Sequence, residues 1–235
     1  ETIAQHLSKS RRISVDPEEV VVTPGAKPII FFSILACVEP GDEVLYPNPG
    51  FPIYESMINF VGAKPVPMPL KEENDFRIDN EEVLSKISKK TKMIILNSPE
   101  NPTGGVLSKD NLEAIADGVR GRDDVFILSD EVYSEISYGS RHESIASIPG
   151  MKEQTILMDG FSKTYAMTGW RLGYAAMRKD LAQKVTQLII NSVSCSCAFS
   201  QMAGVEALRG PQDEPKKMVN EFRRRREVIV SGLNR

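Results

Sequence analysis

Short apolar runs recur along the chain, and each one ends in turn-forming or polar residues. Four of them are clear, at 20–22, 93–96, 125–128 and 156–158. Runs of this length that are apolar on both faces are typical of strands buried inside a parallel sheet. A fifth segment, 170–177, has the same character and is a further strand candidate.

Helical patterns lie between and after these runs. The clearest is preceded by Ser108, which stands where an N-cap residue belongs. Its apolar positions keep the i, i+3, i+4, i+7 spacing of a helix with one buried face: Leu112, Ile115, Ala116 and Val119. Three more patterns cover about 179–192, 200–209 and 211 onward. Alternating strands and helices predict an α/β domain, with a mostly parallel central sheet and helices on both faces.

An open α/β sheet binds its ligand outside the carboxyl ends of its strands. The polar and glycine residues just past the four runs are therefore candidates for a site. They are Gly25, Lys27, Asn101, Asp130, Tyr133, Ser162 and Lys163. The set combines two amines, a carboxylate, a phenol, an amide and a hydroxyl without a histidine. It favours a charged heteroaromatic phosphate over the substrate of a hydrolase.

Composition narrows the chemistry further. The chain has 235 residues, and with only His6 and His142 it has no multi-histidine zinc site and little scope for Ser-His-Asp chemistry. A net charge of −3 gives no reason to expect nucleic acid as a partner. No apolar stretch approaches the ~20 residues of a membrane span, so no membrane is expected either. The basic run 223–226 is interpreted as a solvated or dimer-facing helix.

Three cysteines, an odd number in a chain of this size, favour a reducing, cytoplasmic compartment. Cys195 and Cys197 are interpreted as small, half-buried packing residues and the two histidines as solvated residues, so we predict no metal site.

The segment 160–173 (Gly-Phe-Ser-Lys-Thr-Tyr-Ala-Met-Thr-Gly-Trp-Arg-Leu-Gly) is the most informative. A lysine at a strand-to-helix turn, here Lys163, can form a Schiff base with an aldehyde cofactor. Ser162 and Arg171 can hold the phosphate of that cofactor. An isolated Ser-Lys-Thr triplet would be a surface turn, and the spacing of a P-loop is absent.

This segment resembles the lysine-bearing signature of the class I and II aminotransferases, which are fold type I pyridoxal-phosphate enzymes. Four other segments resemble further landmarks of that family and occur in the family's order. They are 23–27 (Thr-Pro-Gly-Ala-Lys), 40–44 with the Pro-rich stretch that ends at Tyr54, 101–104 (Asn-Pro-Thr-Gly) and 129–133 (Ser-Asp-Glu-Val-Tyr). Asn-Pro-x-Gly alone is common turn chemistry. Five landmarks in order over nearly the whole chain are hard to obtain by chance.

The resemblance implies a role for each candidate residue. Lys163 would be the Schiff-base lysine and would carry a proton to and from the substrate's α-carbon. Asp130 would pair with the pyridine nitrogen and keep it protonated. Tyr133 and Asn101 would hydrogen-bond the phenolic oxygen of the cofactor, and Phe51 would stack on its ring. The phosphate would be held by Gly25, Ala26, Lys27, Ser162 and Arg171.

Three neighbouring residues have other interpretations. Lys27 could turn to solvent, because a phosphate-binding turn works through backbone amides. Tyr54 fits either packing or the edge of a site, and Glu131 is interpreted as structural.

The resemblance implies a pyridoxal 5'-phosphate-dependent aminotransferase that acts as a homodimer and moves an amino group from an L-amino acid to a 2-oxo acid. Two alternatives would use the same residues: a β-lyase, and a non-catalytic sensor module of a transcription regulator. Residues 1–235 would form the cofactor-binding large domain. A helix at about 211–235 would lead toward a small domain outside this chain, and an N-terminal segment would precede it.

Overall fold

The computed structural model describes residues 1–139 and 141–234. Its strands form one seven-stranded sheet in the order β1-β7-β6-β5-β4-β2-β3. The strands are β1 (Val20–Thr23), β2 (Glu43–Asn48), β3 (Lys64–Pro69), β4 (Thr91–Asn97), β5 (Phe126–Asp130), β6 (Thr155–Gly160) and β7 (Gly173–Ala176). Strand β7 runs antiparallel to its neighbours β6 and β1, and the other neighbouring strands pair in parallel. The predicted α/β fold with a mostly parallel sheet is confirmed.

Helices cover both faces of the sheet. The helices of the described residues are α1 (Thr2–Arg11), α2 (Lys27–Cys37), α3 (Ile53–Phe60), α4 (Asn80–Lys86), α5 (Lys109–Val119), α6 (Phe161–Thr164), α7 (Lys179–Val193), α8 (Ala198–Arg209) and α9 (Asp213–Leu233). Within the described ranges, no helix has both the length and the hydropathy that a membrane crossing requires.

The core follows from the alternation of side chains along each strand. On β4, Met93 and Ile95 pack with α2, α3 and α7, whereas Ile94 and Leu96 pack with α4 and α5. Successive side chains of a strand point to opposite faces, so a strand covered on both faces must be apolar throughout. This is the physical basis of the continuous apolar runs in the sequence.

The helix predicted around Leu112 is confirmed as α5. Its first turn is closed by Ser108, whose hydroxyl accepts a hydrogen bond from the backbone N–H of Asn111 at 3.1 Å. The strand candidate 170–177 is shorter than predicted. A 3₁₀ turn occupies Thr168–Trp170 and Arg171 has a left-handed backbone, so β7 begins at Gly173.

Two interpretations of side-chain environment are wrong. Cys195 and Cys197 are exposed in the loop between α7 and α8, not half-buried. His142 is not solvated: its side chain is buried, and its Nε2 lies 2.8 Å from Oε2 of Glu131. A neighbouring buried carboxylate offsets the cost of burying the ring. His6, on α1, is half-buried.

Candidate functional site

The carboxyl ends of β1, β4, β5 and β6 meet around a cavity of about 270 Å³. The register explains the convergence, because Asn97 pairs with Asp130 at the ends of β4 and β5, and Gly160 and Thr23 both pair with Gly173. Nine of the predicted site residues line this cavity. They are Ala26, Lys27, Phe51, Asn101, Asp130, Tyr133, Ser162, Lys163 and Arg171. The tenth, Gly25, lies against the guanidinium of Arg171.

Asp130 ends β5 and is almost completely buried, with 4% of its surface exposed. Its Oδ2 accepts a hydrogen bond of 2.6 Å from the Tyr54 hydroxyl, and its Oδ1 accepts one of 3.3 Å from the backbone N–H of Val132. Burial raises the pKa of Asp130 to about 7, although both hydrogen bonds oppose the rise. A carboxylate held this way gains strongly from a cation that enters the cavity.

Tyr54 also lines this cavity, although its sequence context did not distinguish packing from a place at the edge of a site. It lies on α3, is fully buried, and its pKa is raised first by burial and then by the negative charge of Asp130. Its hydroxyl therefore stays protonated and donates to the carboxylate. Its place in the Pro-rich landmark was visible in the sequence, but the contact with a residue 76 positions away was not.

Lys163 lies on α6, the single helical turn that follows β6. Its Nζ stands 5.5 Å from the centre of the Tyr133 ring, and its side chain is open to the cavity and to solvent. The two residues come from neighbouring strand ends, so an amine and a phenol are placed side by side.

The turn between β1 and α2 approaches the β6–β7 region very closely. Gly25 has φ +87°, and a Cβ there would collide with the Arg171 guanidinium. A Cβ at Gly173 would collide with the backbone of Gly25 and Ala26. The guanidinium donates to the backbone oxygen of Thr168 at 2.8 Å. Together with the amino end of α2, these groups form a cradle suited to an anion.

Lys27 and Phe51 border the cavity on the α2 and α3 side. The Lys27 amine lies 5.1 Å from the centre of the Phe51 ring, so its side chain folds over the aromatic face even though it is exposed to solvent. Phe51 makes an edge contact with Tyr54, with 6.0 Å between ring centres. The aromatic ring is thereby fixed at the mouth of the cavity.

Two asparagines link β4 to the site. The side chain of Asn97 donates to the backbone oxygen of Asp130 at 3.0 Å and accepts from the backbone N–H of Asn101 at 2.9 Å. Asn97 itself lines the cavity and was not predicted. It ends an apolar run, so the rule that selected the other strand-end residues could have found it.

A larger cavity of about 830 Å³ lies between α1, α8 and the start of α9. The described residues around it include none of the predicted site residues. We place the site in the smaller cavity because the buried carboxylate, the lysine and the anion cradle meet there.

Comparisons with known proteins show the family of this chain. The family model for aminotransferase class I and II covers residues 1–235. This chain belongs to that family. An aspartate aminotransferase of Pyrococcus abyssi is 41% identical over 238 residues, which cover 100% of this chain and 61% of that protein. An aromatic-amino-acid aminotransferase of Thermococcus litoralis is 39% identical over 238 residues, again with 100% and 61% coverage.

Solved structures of aminotransferases superpose closely on this chain. An aromatic aminotransferase from Pyrococcus horikoshii gives a TM-score of 0.95 at 40% identity and covers 99% of this chain and 63% of its own. An aspartate aminotransferase from Rhizobium meliloti gives 0.95 at 34% identity, with 99% and 59% coverage. The chain spans about three fifths of the length of the aminotransferases that it matches.

Proposed function

We propose that this chain is the cofactor-binding part of a pyridoxal-phosphate-dependent aminotransferase that moves an amino group from an L-amino acid to a 2-oxo acid. The observation that carries the proposal is the meeting of three groups in one cavity of a chain from this family. They are the buried Asp130 carboxylate, the Lys163 amine and the cradle of Gly25 and Arg171.

The residues fit the cofactor on chemical grounds. Asp130 is a buried acid without a cation bonded to it in the described chain, and a protonated pyridine nitrogen would supply one. Lys163 offers the amine that binds an aldehyde covalently. Tyr133 and Asn101 would hydrogen-bond the phenolic oxygen, and Phe51 would cover the ring. The phosphate would be held by Gly25, Ala26, Lys27, Ser162 and Arg171.

Each of these residues would have its own role in the proposed reaction. When bound, pyridoxal phosphate supplies an electron sink for negative charge at the substrate's α-carbon. Lys163 would hold the proton that leaves this carbon, which would let the site operate without a histidine. Asp130 would bind the positive charge of the ring, and Phe51 would stack on one of its faces.

Lys163→Ala tests the assignment. The unsubstituted chain should acquire a visible absorption band with pyridoxal phosphate, and borohydride reduction should leave the label on the peptide that contains Lys163. The variant should lose both, because the amine that binds the aldehyde is gone. Lys27→Ala is the matched control, since it also removes a lysine that lines the cavity; it can weaken the hold on the phosphate, but at saturating pyridoxal phosphate the label should still appear on the peptide that contains Lys163. A label that survives Lys163→Ala would contradict the assignment.

The β-lyase and the sensor module remain alternatives to be excluded by reaction chemistry. The names of the relatives support transamination over both. Transfer of the amino group to an added 2-oxo acid by the complete protein would support an aminotransferase. Pyruvate and ammonia released from a cysteine conjugate would indicate a β-lyase, and cofactor binding without turnover would indicate a sensor.

The proposed substrate is a class of compounds, the L-amino acids. Relatives and neighbours of this chain are named for aspartate, for aromatic amino acids and for alanine. A single binding scaffold thus serves different side chains in different members of the family.

We further propose a homodimer and a cytoplasmic location. Exposed apolar residues on α7 and α8 support the first: Ile190, Val193, Phe199 and Met202. Light scattering should give about twice the 26.1 kDa of one chain, and a monomer at micromolar concentration would contradict the dimer.

Three free thiols support the cytoplasmic location. We also propose that residues 1–235 form the large domain and that α9 leads from it toward a small domain.

A further inference from the structure

Three carboxylates are buried side by side beneath the cavity. Asp130 and Glu131 follow one another at the end of β5, and Asp159 lies near the end of the adjacent β6. Each is at most 4% exposed. Three negative charges in so little space repel one another, and burial removes the water that would screen them.

Arg11, at the end of α1, is the cation that enters this cluster. It is itself 4% exposed. Its Nε donates to Oε2 of Glu131 at 2.7 Å, and its Nη2 donates to Oδ2 of Asp159 at 2.9 Å. One guanidinium therefore bridges the two strands and pairs with both carboxylates that flank Asp130.

Other hydrogen-bond donors around the cluster also contact Glu131 and Asp159. Glu131 also accepts from the hydroxyls of Ser129 and Ser144, at 2.9 and 2.6 Å, and faces His142. Burial alone would raise the pKa of Glu131, but the charge of Arg11 and the contact with His142 outweigh it and lower the pKa to about 2.

Asp159 accepts from the Ser134 hydroxyl at 3.3 Å and from the backbone N–H of Gly160 at 2.7 Å. Asp130 receives the Tyr54 hydroxyl and has no ion pair with Arg11 among the described contacts. The single positive charge of Arg11 is thus shared between Glu131 and Asp159, which also receive these hydrogen bonds, whereas Asp130 is left to face the cavity.

We infer that Arg11 is a positioning residue for cofactor binding. By pairing with Glu131 and Asp159, it lessens the repulsion that these two carboxylates exert on Asp130 and so favours the ionised form that can bind the cation of the ring nitrogen. This rests on the proposed function. Without Arg11, Glu131 and Asp159 keep only their hydrogen bonds and the contact with His142, so they repel Asp130 more strongly and favour its protonation. A protonated Asp130 has no charge to offer the ring.

The experiment compares two ligands that differ at one atom. Pyridoxal phosphate carries the ring nitrogen, and its 1-deaza analogue has a C–H there, so a change in the ratio of their dissociation constants between variants reports on the Asp130 contact. The unsubstituted chain should prefer pyridoxal phosphate. Arg11→Met should reduce that preference by about tenfold or more, the usual size of one charge-assisted hydrogen bond.

The double variant Arg11→Met/Glu131→Gln separates charge from packing. It removes one positive and one negative charge together, so the preference for pyridoxal phosphate should largely return. If the methionine variant fails to fold, as circular dichroism would show, Arg11→Gln gives a second reading, because it removes the charge but keeps a polar side chain, and its preference for pyridoxal phosphate should fall in the same way. Arg12→Met is the matched control, because Arg12 is the adjacent but exposed arginine.

The outcomes are distinct. If Arg11 only anchors α1 to the sheet, both ligands weaken equally in every Arg11 variant and the ratio does not move, which overturns the inference. If the folded, unsubstituted chain binds neither ligand, the proposed function fails and this inference fails with it.

Discussion

At the scale of single residues, Asp130 is a carboxylate whose ionised form is disfavoured by its burial. Its carboxylate is buried, its neighbours Glu131 and Asp159 are acidic, and its pKa is raised to about 7, chiefly by burial. Two hydrogen bonds compensate only in part. An ionised group that is poorly compensated by its protein neighbours is well placed to bind a cation when one arrives.

The raised pKa predicts how Asp130→Asn changes the pH dependence of stability. The folded state binds a proton that the unfolded state has already released, so the free energy of unfolding falls as pH rises from about 4 to about 7. The asparagine has no charge and removes this contribution. Relative to the unsubstituted cofactor-free chain, the variant should gain about 2–3 kcal/mol between pH 5 and pH 8.

Urea unfolding at the two pH values measures this difference. Asp123→Asn is the control, because Asp123 is an exposed aspartate outside the site. An equal effect of Asp130→Asn at both pH values would contradict the raised pKa.

At the scale of elements, the turn from β1 into α2 requires a residue without a side chain at Gly25. Gly25 has a positive φ and also leaves room for Arg171, whereas Gly41 has a similar φ of +91° with nothing within 4 Å of the position that a Cβ would take. An alanine would strain the backbone at either position, but only at Gly25 would its Cβ also collide with a guanidinium.

Gly25→Ala and Gly41→Ala are a matched pair. Both should destabilise the chain by about 1 kcal/mol through the left-handed backbone. Gly25→Ala should in addition displace Arg171 and weaken pyridoxal phosphate binding by about tenfold or more. Equilibrium dialysis gives the affinities, and equal affinities in the two variants would argue against the cradle.

At the scale of the whole molecule, the cofactor would join segments that are distant in the chain. The turn at Gly25, the end of β5 and the α6 turn all border one cavity. A ligand that contacts all of them binds the folded state alone, so it should raise the unfolding temperature of the entire domain.

At a concentration 100 times its dissociation constant, pyridoxal phosphate should add about 2.7 kcal/mol of stability. For a domain of this size, that corresponds to a rise in Tm of about 5–10 °C. Differential scanning calorimetry measures the shift. Pyridoxal at the same concentration, which lacks the phosphate, should give a smaller one, and equal shifts would speak against the anion cradle.

Much of this architecture was readable in the sequence because its signals are local. Continuous apolar runs predicted β1, β4, β5 and β6, and the 3.6-residue period with Ser108 predicted α5. Since strand ends hold the ligands of α/β sheets, the same pattern selected Asp130 and Lys163. The edge position of β3 is consistent with its composition, because its prolines lack donors for a second neighbour.

The tertiary structure alone decided the contacts between distant residues. Tyr54 reaches Asp130 across 76 positions, and Arg11 reaches Glu131 and Asp159 across 120 and 148. Nothing in the local pattern distinguishes Arg11 from its exposed neighbour Arg12. Burial and pairing depend on how α1 and α3 pack against the sheet, and packing is a property of the whole chain. The sequence by itself therefore determined which residues meet at the strand ends, and the fold decided which charges stabilise them.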